Sequence, residues 1–396
     1  MKTRPSRILP VIIFSQFTGT SLWFASNAVM ADLQQAWGLA DAALGYMTSA
    51  VQFGFIIGTL VFAFFTISDR FSPRIIFFVC SLLGAISNLC IYLLAQGLPS
   101  LLIFRLVTGF LLAGIYPVGM KIAAGWYEKG LGRALGFLVG ALVLGTAFPH
   151  LLKGMGRAVA WEQVILSISL VSTAGGFLML WLVPDGPHLV KGTRFSPGAF
   201  KTIFQSRNLR SAAFGYFGHM WELYTLWAFV PVFLSNYLAR SHKAINVSYW
   251  AFIIIAAGFV GCAGGGLMSK KAGSAKVAFY QLTASGICCL ISPLMFYVPL
   301  SVFLGFLIFW GVVVVGDSPQ FSALSAQTAP PELVGSALTL INCIGFFITI
   351  FSIQIANTLT TRAGPNYIFL FLTPGPIFGL IHLWPLFRSM PSTQKL

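Results

Sequence analysis

The chain has 396 residues, of which 57% belong to the apolar set and only 8% are charged, with a mean hydropathy of +0.85. Soluble globular domains carry roughly 25% charged residues, so this chain has too few polar residues to cover a surface in water. A membrane-spanning helix needs roughly 20 apolar residues, and twelve of them fill about 240 positions. The composition therefore excludes a soluble protein and predicts a polytopic membrane protein without a separate soluble domain.

Twelve apolar segments of spanning length follow one another along the sequence. They lie at 8–31, 42–66, 75–96, 100–122, 133–155 and 160–183, and, after a polar interval, at 209–238, 247–268, 277–297, 300–324, 335–360 and 366–388. Basic residues precede the first segment, but its apolar run is too long for a cleavable signal sequence. We expect an all-α membrane protein with six-helix bundles at 1–185 and 208–396, joined by a cytoplasmic linker at 186–207.

Basic residues are unevenly distributed between the two sides of the predicted spans. Of the 24 Lys and Arg residues, 17 fall on the side that carries both termini, five on the other side and two, Arg105 and Lys121, within the fourth span. Cytoplasmic loops are enriched in Lys and Arg, so we expect both termini to be cytoplasmic, in the plasma or inner membrane. The net charge of +15 is then explained by membrane topology. It does not require a nucleic-acid partner, and we expect none. Lys121 is expected to snorkel to the interface.

The two halves resemble each other at an offset near 200 residues. Phe14 and Phe17 in the first span correspond to Phe214 and Phe217 in the seventh, 200 positions further on. Duplicated six-helix halves are typical of secondary transporters, which bind their substrates near the bilayer midplane between the repeats. The pattern therefore favours a transporter over a receptor or scaffold.

Two motifs resemble those of the major facilitator superfamily, and the resemblance covers essentially the whole chain. The loop after the second span reads Phe65-x-x-x-Asp69-Arg70-Phe71-Ser72-Pro73-Arg74, where the family has Gly-x-x-x-Asp-Arg-x-Gly-Arg-Arg. The fourth span contains Arg105-x-x-x-Gly109, matching the family's Arg-x-x-x-Gly. The resemblance implies two pseudo-symmetric bundles in which spans one, four, seven and ten line the solute path.

Two departures from subfamily patterns bear on the type of transport. Drug and proton antiporters of the family carry Gly-x-x-x-Gly-Pro in span five, whereas this chain has Gly136-x-x-x-Gly140-Ala141. The missing proline favours uptake over efflux. Nitrate and nitrite porters carry anion-binding arginines in spans two and eight, and neither predicted span contains one here.

The informative ionisable residues within spans four, seven and ten are Arg105, Glu222 and Asp317. A charge in the hydrocarbon layer costs at least ~2.5 to 3.5 kcal/mol, so each requires a partner, a wet cavity or a function. Glu222, with His219 on the same helical face, is the main candidate for proton coupling; the alternative is a permanently protonated structural residue. Asp317 precedes Pro319, and it is a candidate for proton coupling or solute binding, or else a helix cap.

Candidate solute contacts come from spans one, four and seven. Arg105 is a candidate anion site or the counter-charge of Glu222, and the alternative is a side chain that snorkels. Aromatic residues within spans are more often packing residues than ligand contacts, and packing is the alternative for the aromatic candidates. The full set of further candidates is Gln16, Trp23, Asn27, Trp221 and Tyr224.

A charged cluster at the cytoplasmic ends of spans two and three is the candidate gate. It consists of Asp69, Arg70 and Arg74, and we interpret it as a latch between the halves. The alternative is a plain topology signal, although the positive-inside rule requires no Asp.

Together these features predict a proton-coupled secondary transporter that moves a small polar organic solute by alternating access, with an organic anion or zwitterion favoured and uptake by symport favoured. The alternatives are a drug or metabolite efflux antiporter and an inorganic-anion porter. An intramembrane enzyme is a weaker alternative, because His219 with Glu222 is the only pair of catalytic type. The sequence lacks a nucleotide-binding Gly-Lys-Ser/Thr loop. We expect neither a cofactor nor a metal. We expect a monomer in the lipid bilayer whose partners are its small-molecule solute and a gradient of protons or another ion.

Overall fold

The computed structural model describes residues 5–127, 131–156, 159–189, 195–362 and 364–389, and the regular secondary structure of these ranges is helical. The chain divides into two compact units, Met1–Arg194 and Phe195–Leu396. Each unit contains six spans, where a span is one helix or consecutive helices that continue across a break. The predicted twelve-span, all-α architecture is confirmed.

The first unit contains spans one to six. They run Ile8–Ala28, Ala43–Phe64, Pro73–Leu93, Leu98–Trp126, Leu131–Gly154 and Trp161–Leu182. Short helices at Met30–Trp37 and Ile67–Arg70 follow spans one and two. The observed bounds lie close to the predicted ones because each span coincides with a continuous apolar run.

The second unit contains a short helix, Gly198–Gln205, followed by spans seven to twelve. The spans run Arg207–Ser241, Val247–Ala272, Ser274–Tyr297, Leu300–Thr328, Val334–Arg362 and Leu370–Ser389. Among the described residues, eleven helices are apolar and long enough to cross a membrane. The twelfth, span seven, has 35 residues but is less apolar because it carries the polar residues described below. The short helix, which we call the linker helix, lies inside the segment predicted as the linker.

Span one is interrupted by a 3-10 segment at Ser21–Phe24. The hydroxyls of Thr20 and Ser21 donate to the carbonyls of Gln16 and Thr18 in the preceding turn, at 2.8 and 2.6 Å. Such side-chain bonds compete with the helix's own hydrogen bonds and bend it. Polar side chains in the sequence of span one therefore account for the break.

Spans four and ten break at matching positions. In each, a second helix begins after an interruption, at Tyr116 and at Ser318, with a proline in its first turn. A proline lacks the backbone donor needed within a helix but is accepted in the first turn. Ile115 and Asp317, the capping positions of these helices, correspond in the two units, which supports an internal duplication.

Glycines bring spans two and four, and spans eight and ten, into backbone contact. A Cβ atom at Gly109 would lie 2.0 Å from the carbonyl oxygen of Val51, and one at Gly311 would lie 2.0 Å from that of Ile254. Small residues allow this close approach of membrane helices. The packing therefore explains the glycine of the Arg105-x-x-x-Gly109 motif.

Thr66 holds a left-handed backbone conformation, with φ of +49°, at the end of span two. A β-branched residue is strained in this region, whereas glycine is not. We expect Thr66→Gly to raise the free energy of unfolding by about 1 kcal/mol, since the bond lost, from Nε of Arg70 at 3.3 Å, is exposed. The thermal unfolding midpoint of the purified protein measures this effect.

Ser72→Gly is the matched control for Thr66→Gly. Ser72 has φ of −60°, where glycine brings no relief, so its replacement is expected to leave the midpoint unchanged or lower. A lower midpoint for Thr66→Gly than for the unsubstituted protein would contradict the assignment of strain to Thr66.

Candidate functional site

Glu222 lies in a buried polar cluster formed by spans seven, nine and ten. The residue is 1% exposed. Its Oε1 accepts hydrogen bonds from the Ser285 hydroxyl and, at 2.7 Å, from Nε1 of Trp310. Nε1 of Trp310 also donates to Oγ of Ser285 at 3.0 Å, and the Cys289 thiol is a further neighbour of the carboxylate. We call Glu222, Ser285 and Trp310 the carboxylate cluster.

His219 of span seven pairs with Asp317 of span ten. Nδ1 of His219 lies 2.9 Å from Oδ1 of Asp317, and each side chain is only 1% exposed. Among the described residues, Nε2 of His219 and Oδ2 of Asp317 have no hydrogen-bond partner. The sequence pattern predicts that His219 supports Glu222; the structure instead brings the imidazole to the second carboxylate.

Asp317 occupies the capping position at the break of span ten, but its side chain makes no capping hydrogen bond in the described structure. The carboxylate is instead directed to His219. Spans seven and ten are therefore connected twice, through Glu222 and Trp310 and through His219 and Asp317. A carboxylate and an imidazole are both groups that can bind and release a proton.

Arg105 is fully buried at the break of span one. Nη1 donates to the carbonyl oxygen of Leu22 at 2.9 Å, and Nη2 donates to that of Trp23. Nε has no partner among the described residues, and no carboxylate of those residues lies within ion-pair distance of the guanidinium. The group has more N–H donors than these two bonds use. Arg105 is thus a buried guanidinium with donors to spare and with no carboxylate within ion-pair distance among the described residues.

The polar candidates of span one link it to spans two and four. Nε1 of Trp23 donates to Oε1 of Gln52 at 3.1 Å, and Nδ2 of Asn27 donates to Oγ1 of Thr48 at 2.8 Å. Within the described structure, some buried polar atoms in this region have no hydrogen-bond partner. These atoms are Oε1 of Gln16, whose Nε2 donates to the carbonyl of Tyr116 at 3.4 Å, Oδ1 of Asn27 and Nε2 of Gln52.

The aromatic candidates of span seven pack on neighbouring spans of the second unit. The ring of Trp221 lies 5.9 Å from that of Phe371 and against Gly375 in span twelve. The ring of Tyr224 lies 5.1 Å from that of Phe346 in span eleven. These contacts agree with a packing role, and a role of either residue in solute binding stays a prediction.

The candidate gate residues contact spans four and six of their own unit. Oδ1 of Asp69 lies 2.5 Å from Nζ of Lys121, which also donates to the carbonyl oxygen of Ser68 at 2.6 Å. Nη1 of Arg74 donates to the carbonyl of Leu180 at 3.3 Å. Lys121 therefore holds the loop to span four rather than simply reaching toward solvent. A latch between the halves stays a prediction.

The Asp69–Lys121 pair is expected to stabilise the loop by up to about 1 kcal/mol, because both side chains remain about one-fifth exposed and water screens them. A double-mutant cycle with Asp69→Asn and Lys121→Met, read as unfolding free energies at low salt, measures this coupling. High salt is expected to reduce it. Strictly additive losses in the two single variants and the double variant would show that the pair contributes nothing.

Two residues of the carboxylate cluster were not predicted from the sequence. Ser285 offers no signal, because serine is common in membrane helices. Trp310 offers one: tryptophan concentrates at membrane interfaces, whereas this residue lies in the middle of span ten. A buried indole N–H usually has an acceptor, so its position points to a polar partner inside the bundle.

Comparisons with known proteins agree with this architecture. Residues 12–353 match the sequence model of the Major Facilitator Superfamily. A Haemophilus influenzae protein named "Putative metabolite transport protein" is 30% identical over 152 residues, which are 37% of this chain and 34% of that protein. The matched segment thus spans about a third of that relative.

Two solved structures illustrate the similarity of fold. A bacterial homologue of the human lysosomal transporter Spinster has a TM-score of 0.71 at 15% identity, covering 98% of both chains. The proton:xylose symporter XylE has a TM-score of 0.72 at 13% identity, covering 97% of both chains. At these identities the similarity shows the fold alone.

Proposed function

Because the chain belongs to the major facilitator superfamily, we propose that it is a proton-coupled secondary transporter of a small polar organic solute. The protein is a multi-pass membrane transporter. Proton coupling, alternating access and uptake by symport are the parts that we propose. The charge distribution supports an inner or plasma membrane location with both termini cytoplasmic, and we propose a transport role without enzymatic chemistry.

The observation that carries the proposal is the double connection between spans seven and ten. Glu222 and the His219–Asp317 pair are both buried and both protonatable, and each connects the same two helices. In a transporter, a proton that binds such a contact favours one packing of the helices over another, so proton binding and conformation become linked. A purely structural polar network has no need of three ionisable groups at this depth.

Arg105 supports an organic anion or zwitterion as the solute. Its guanidinium is buried without a carboxylate partner among the described residues, and a buried cation is costly unless an anion compensates it. The unpaired amide oxygens of Gln16 and Asn27 could accept hydrogen bonds from the amine or hydroxyl of the same solute. An inorganic-anion porter and an efflux antiporter are the alternatives.

The first step of the test identifies a solute. Thermal-shift measurements on the purified protein use succinate, glutamate, xylose and uridine as representatives of dicarboxylates, zwitterions, sugars and nucleosides, at one acidic and one neutral pH. A ligand that binds the folded protein raises its unfolding midpoint. We expect succinate-like or glutamate-like compounds to give the larger shifts.

The second step measures transport of that solute in proteoliposomes. Symport predicts accumulation when the medium is more acidic than the lumen, and loss of accumulation when a protonophore is added. Antiport predicts accumulation under the opposite gradient. Transport that ignores the pH gradient in both directions would contradict the proposed coupling while leaving the transporter assignment intact.

A further inference from the structure

The linker helix, Gly198–Gln205, has one face packed on protein and one face uncovered. Ala199 and Ile203 are fully buried, and the helix contacts spans seven and eleven. Phe200 and Phe204, one helical turn apart, are 52% and 37% exposed, and their rings lie 4.9 Å apart. The outer face of this helix is therefore an aromatic surface that the chain itself does not cover.

The depth of this aromatic surface follows from its neighbours. The ring of Phe204 lies 6.0 Å from that of Phe214, which in turn lies 5.4 Å from Phe378 of span twelve. Phe214 is about 10 Å along the axis of span seven from its start. Nη1 of Arg210 also donates to the carbonyl oxygen of Phe204 at 2.8 Å. The linker helix thus lies beside the first turns of span seven, level with Phe214, which belongs to the predicted span at 209–238.

The charged residues of the linker helix and of the first turn of span seven have a single sign. Lys201, Arg207 and Arg210 are exposed, and the sequence contains no Asp or Glu between Asp185 and Glu222. Basic residues near an anionic membrane surface are attracted to it. Aromatic residues at the interface with basic residues beside them are the pattern of helices that lie on membranes.

We propose that the linker helix binds anionic phospholipid. Phe200 and Phe204 insert at the boundary between headgroups and acyl chains, while Lys201, Arg207 and Arg210 contact the headgroup phosphates. The occupant is the bilayer rather than a protein, because the exposed aromatic side chains continue onto the faces of Phe214 and Phe378, which belong to membrane spans. This lipid contact goes beyond transport and does not depend on proton coupling.

A spin-label experiment tests the insertion. Phe200→Cys, Phe204→Cys and Lys201→Cys proteins are labelled with a nitroxide in nanodiscs, and collisions with oxygen are compared with collisions with a water-soluble nickel chelate. Phe351→Cys, at an exposed position of span eleven, is the membrane reference, and the unsubstituted chain reports labelling of the native cysteines. We expect positions 200 and 204 to favour oxygen and position 201 to favour nickel.

Two results of the labelling would overturn the insertion. Nickel access at 200 and 204 equal to that at 201 would place the aromatic face in water. Protection of both positions from both reagents would show that protein covers the face. Oxygen access as strong as at position 351 supports the proposal.

Lipid dependence tests the headgroup contact. Thermal midpoints are compared in phosphatidylcholine nanodiscs with and without phosphatidylglycerol. We expect phosphatidylglycerol to raise the midpoint of the unsubstituted protein by several degrees, and the combined change Lys201→Gln, Arg207→Gln and Arg210→Gln to remove that rise. The control is the combined change Lys270→Gln and Lys271→Gln, at an exposed basic pair at the end of span eight. This variant is expected to keep the rise of the midpoint. No rise in the unsubstituted protein, or an equal loss in the control, would overturn the proposal.

Discussion

Glu222→Gln is expected to leave solute exchange intact and to abolish uphill accumulation. Glutamine cannot bind and release a proton, so a transporter whose coupling group is Glu222 loses its link to the gradient. Exchange of labelled for unlabelled solute across the membrane requires no net proton movement. In proteoliposomes with an acidic medium, the ratio of internal to external solute is expected to fall to unity, while counterflow continues at a similar rate.

The structure explains why this variant is expected to fold. The oxygen of the glutamine amide can still accept from Ser285 and Trp310, as Oε1 of Glu222 does. The substitution therefore changes the charge of the carboxylate cluster with little change of shape. An unfolding midpoint near that of the unsubstituted protein is the condition under which the transport result can be interpreted.

Asp317→Asn distinguishes the role of Asp317 in proton coupling from that of Glu222. It removes the second protonatable acid and the partner of His219 while Glu222 remains. If Glu222→Gln still concentrates the solute and Asp317→Asn does not, then the coupling group is Asp317 and the assignment to Glu222 is wrong. If both variants lose accumulation, the two connections between spans seven and ten act together.

Ser285→Ala is the matched control for the cluster itself. It removes one hydrogen bond to Glu222 but keeps the carboxyl group. We expect accumulation to persist with a changed dependence on pH, since the carboxyl group loses a donor. A Ser285→Ala protein that loses accumulation as fully as Glu222→Gln would point to disrupted packing rather than lost proton binding.

The sequence predicts the fold well because the relevant rule is local. A run of apolar residues long enough to cross the bilayer forms a helix wherever it occurs, since lipid offers backbone groups no other partners. Glu222 and Asp317 were identifiable for a similar reason, because an ionisable residue in such a run is conspicuous. Neither inference requires knowing which helices are neighbours.

The partners of these residues depend on tertiary packing, and the sequence could not supply them. The spacing of His219 and Glu222 on one helix favours a pair, but His219 contacts Asp317 of another span. Arg105 binds two backbone carbonyls, which have no signature in side-chain sequence. From the sequence, Lys121 could be identified only as a basic residue near the end of span four. Its contact with Asp69 comes from the packing of the loop on that span.

The internal duplication connects two contacts that look unrelated. Glu222 lies 200 positions after Leu22, whose carbonyl accepts from Arg105 of span four. Glu222 itself accepts from Trp310 of span ten. In each unit, therefore, a donor on the fourth span of that unit (span four or ten) binds an acceptor at the same register of its first span (span one or seven). The first unit uses a fixed cation and a backbone acceptor, while the second uses a neutral donor and a titratable acceptor.

Replacement of Arg105 is the second change for which we expect a large effect. Arg105→Lys and Arg105→Gln are expected to reduce stability, and they are expected to differ in solute binding. A lysine ammonium lacks the planar fork that reaches the carbonyls of Leu22 and Trp23 together. An unsatisfied buried acceptor costs about 1 to 3 kcal/mol, so both variants are expected to lower the unfolding midpoint. Thermal unfolding of the purified variants measures this loss.

Solute affinity distinguishes an anion site from a purely structural role of Arg105. If the guanidinium also binds an anionic group, lysine keeps the charge and glutamine loses it. A charge-assisted hydrogen bond contributes about 1.5 to 3 kcal/mol, so Arg105→Gln is expected to bind the solute about 10- to 100-fold more weakly than Arg105→Lys. The dissociation constant, corrected for the folded fraction, measures this difference.

Lys121→Gln is the control for that comparison, because it removes a half-buried cation of the same unit whose contacts are accounted for by Asp69 and Ser68. Its affinity for the solute is expected to match that of the unsubstituted protein. Equal affinities in Arg105→Lys and Arg105→Gln would leave Arg105 with the single task of holding the break of span one. The preference for an organic anion or zwitterion would then have to be explained by other residues.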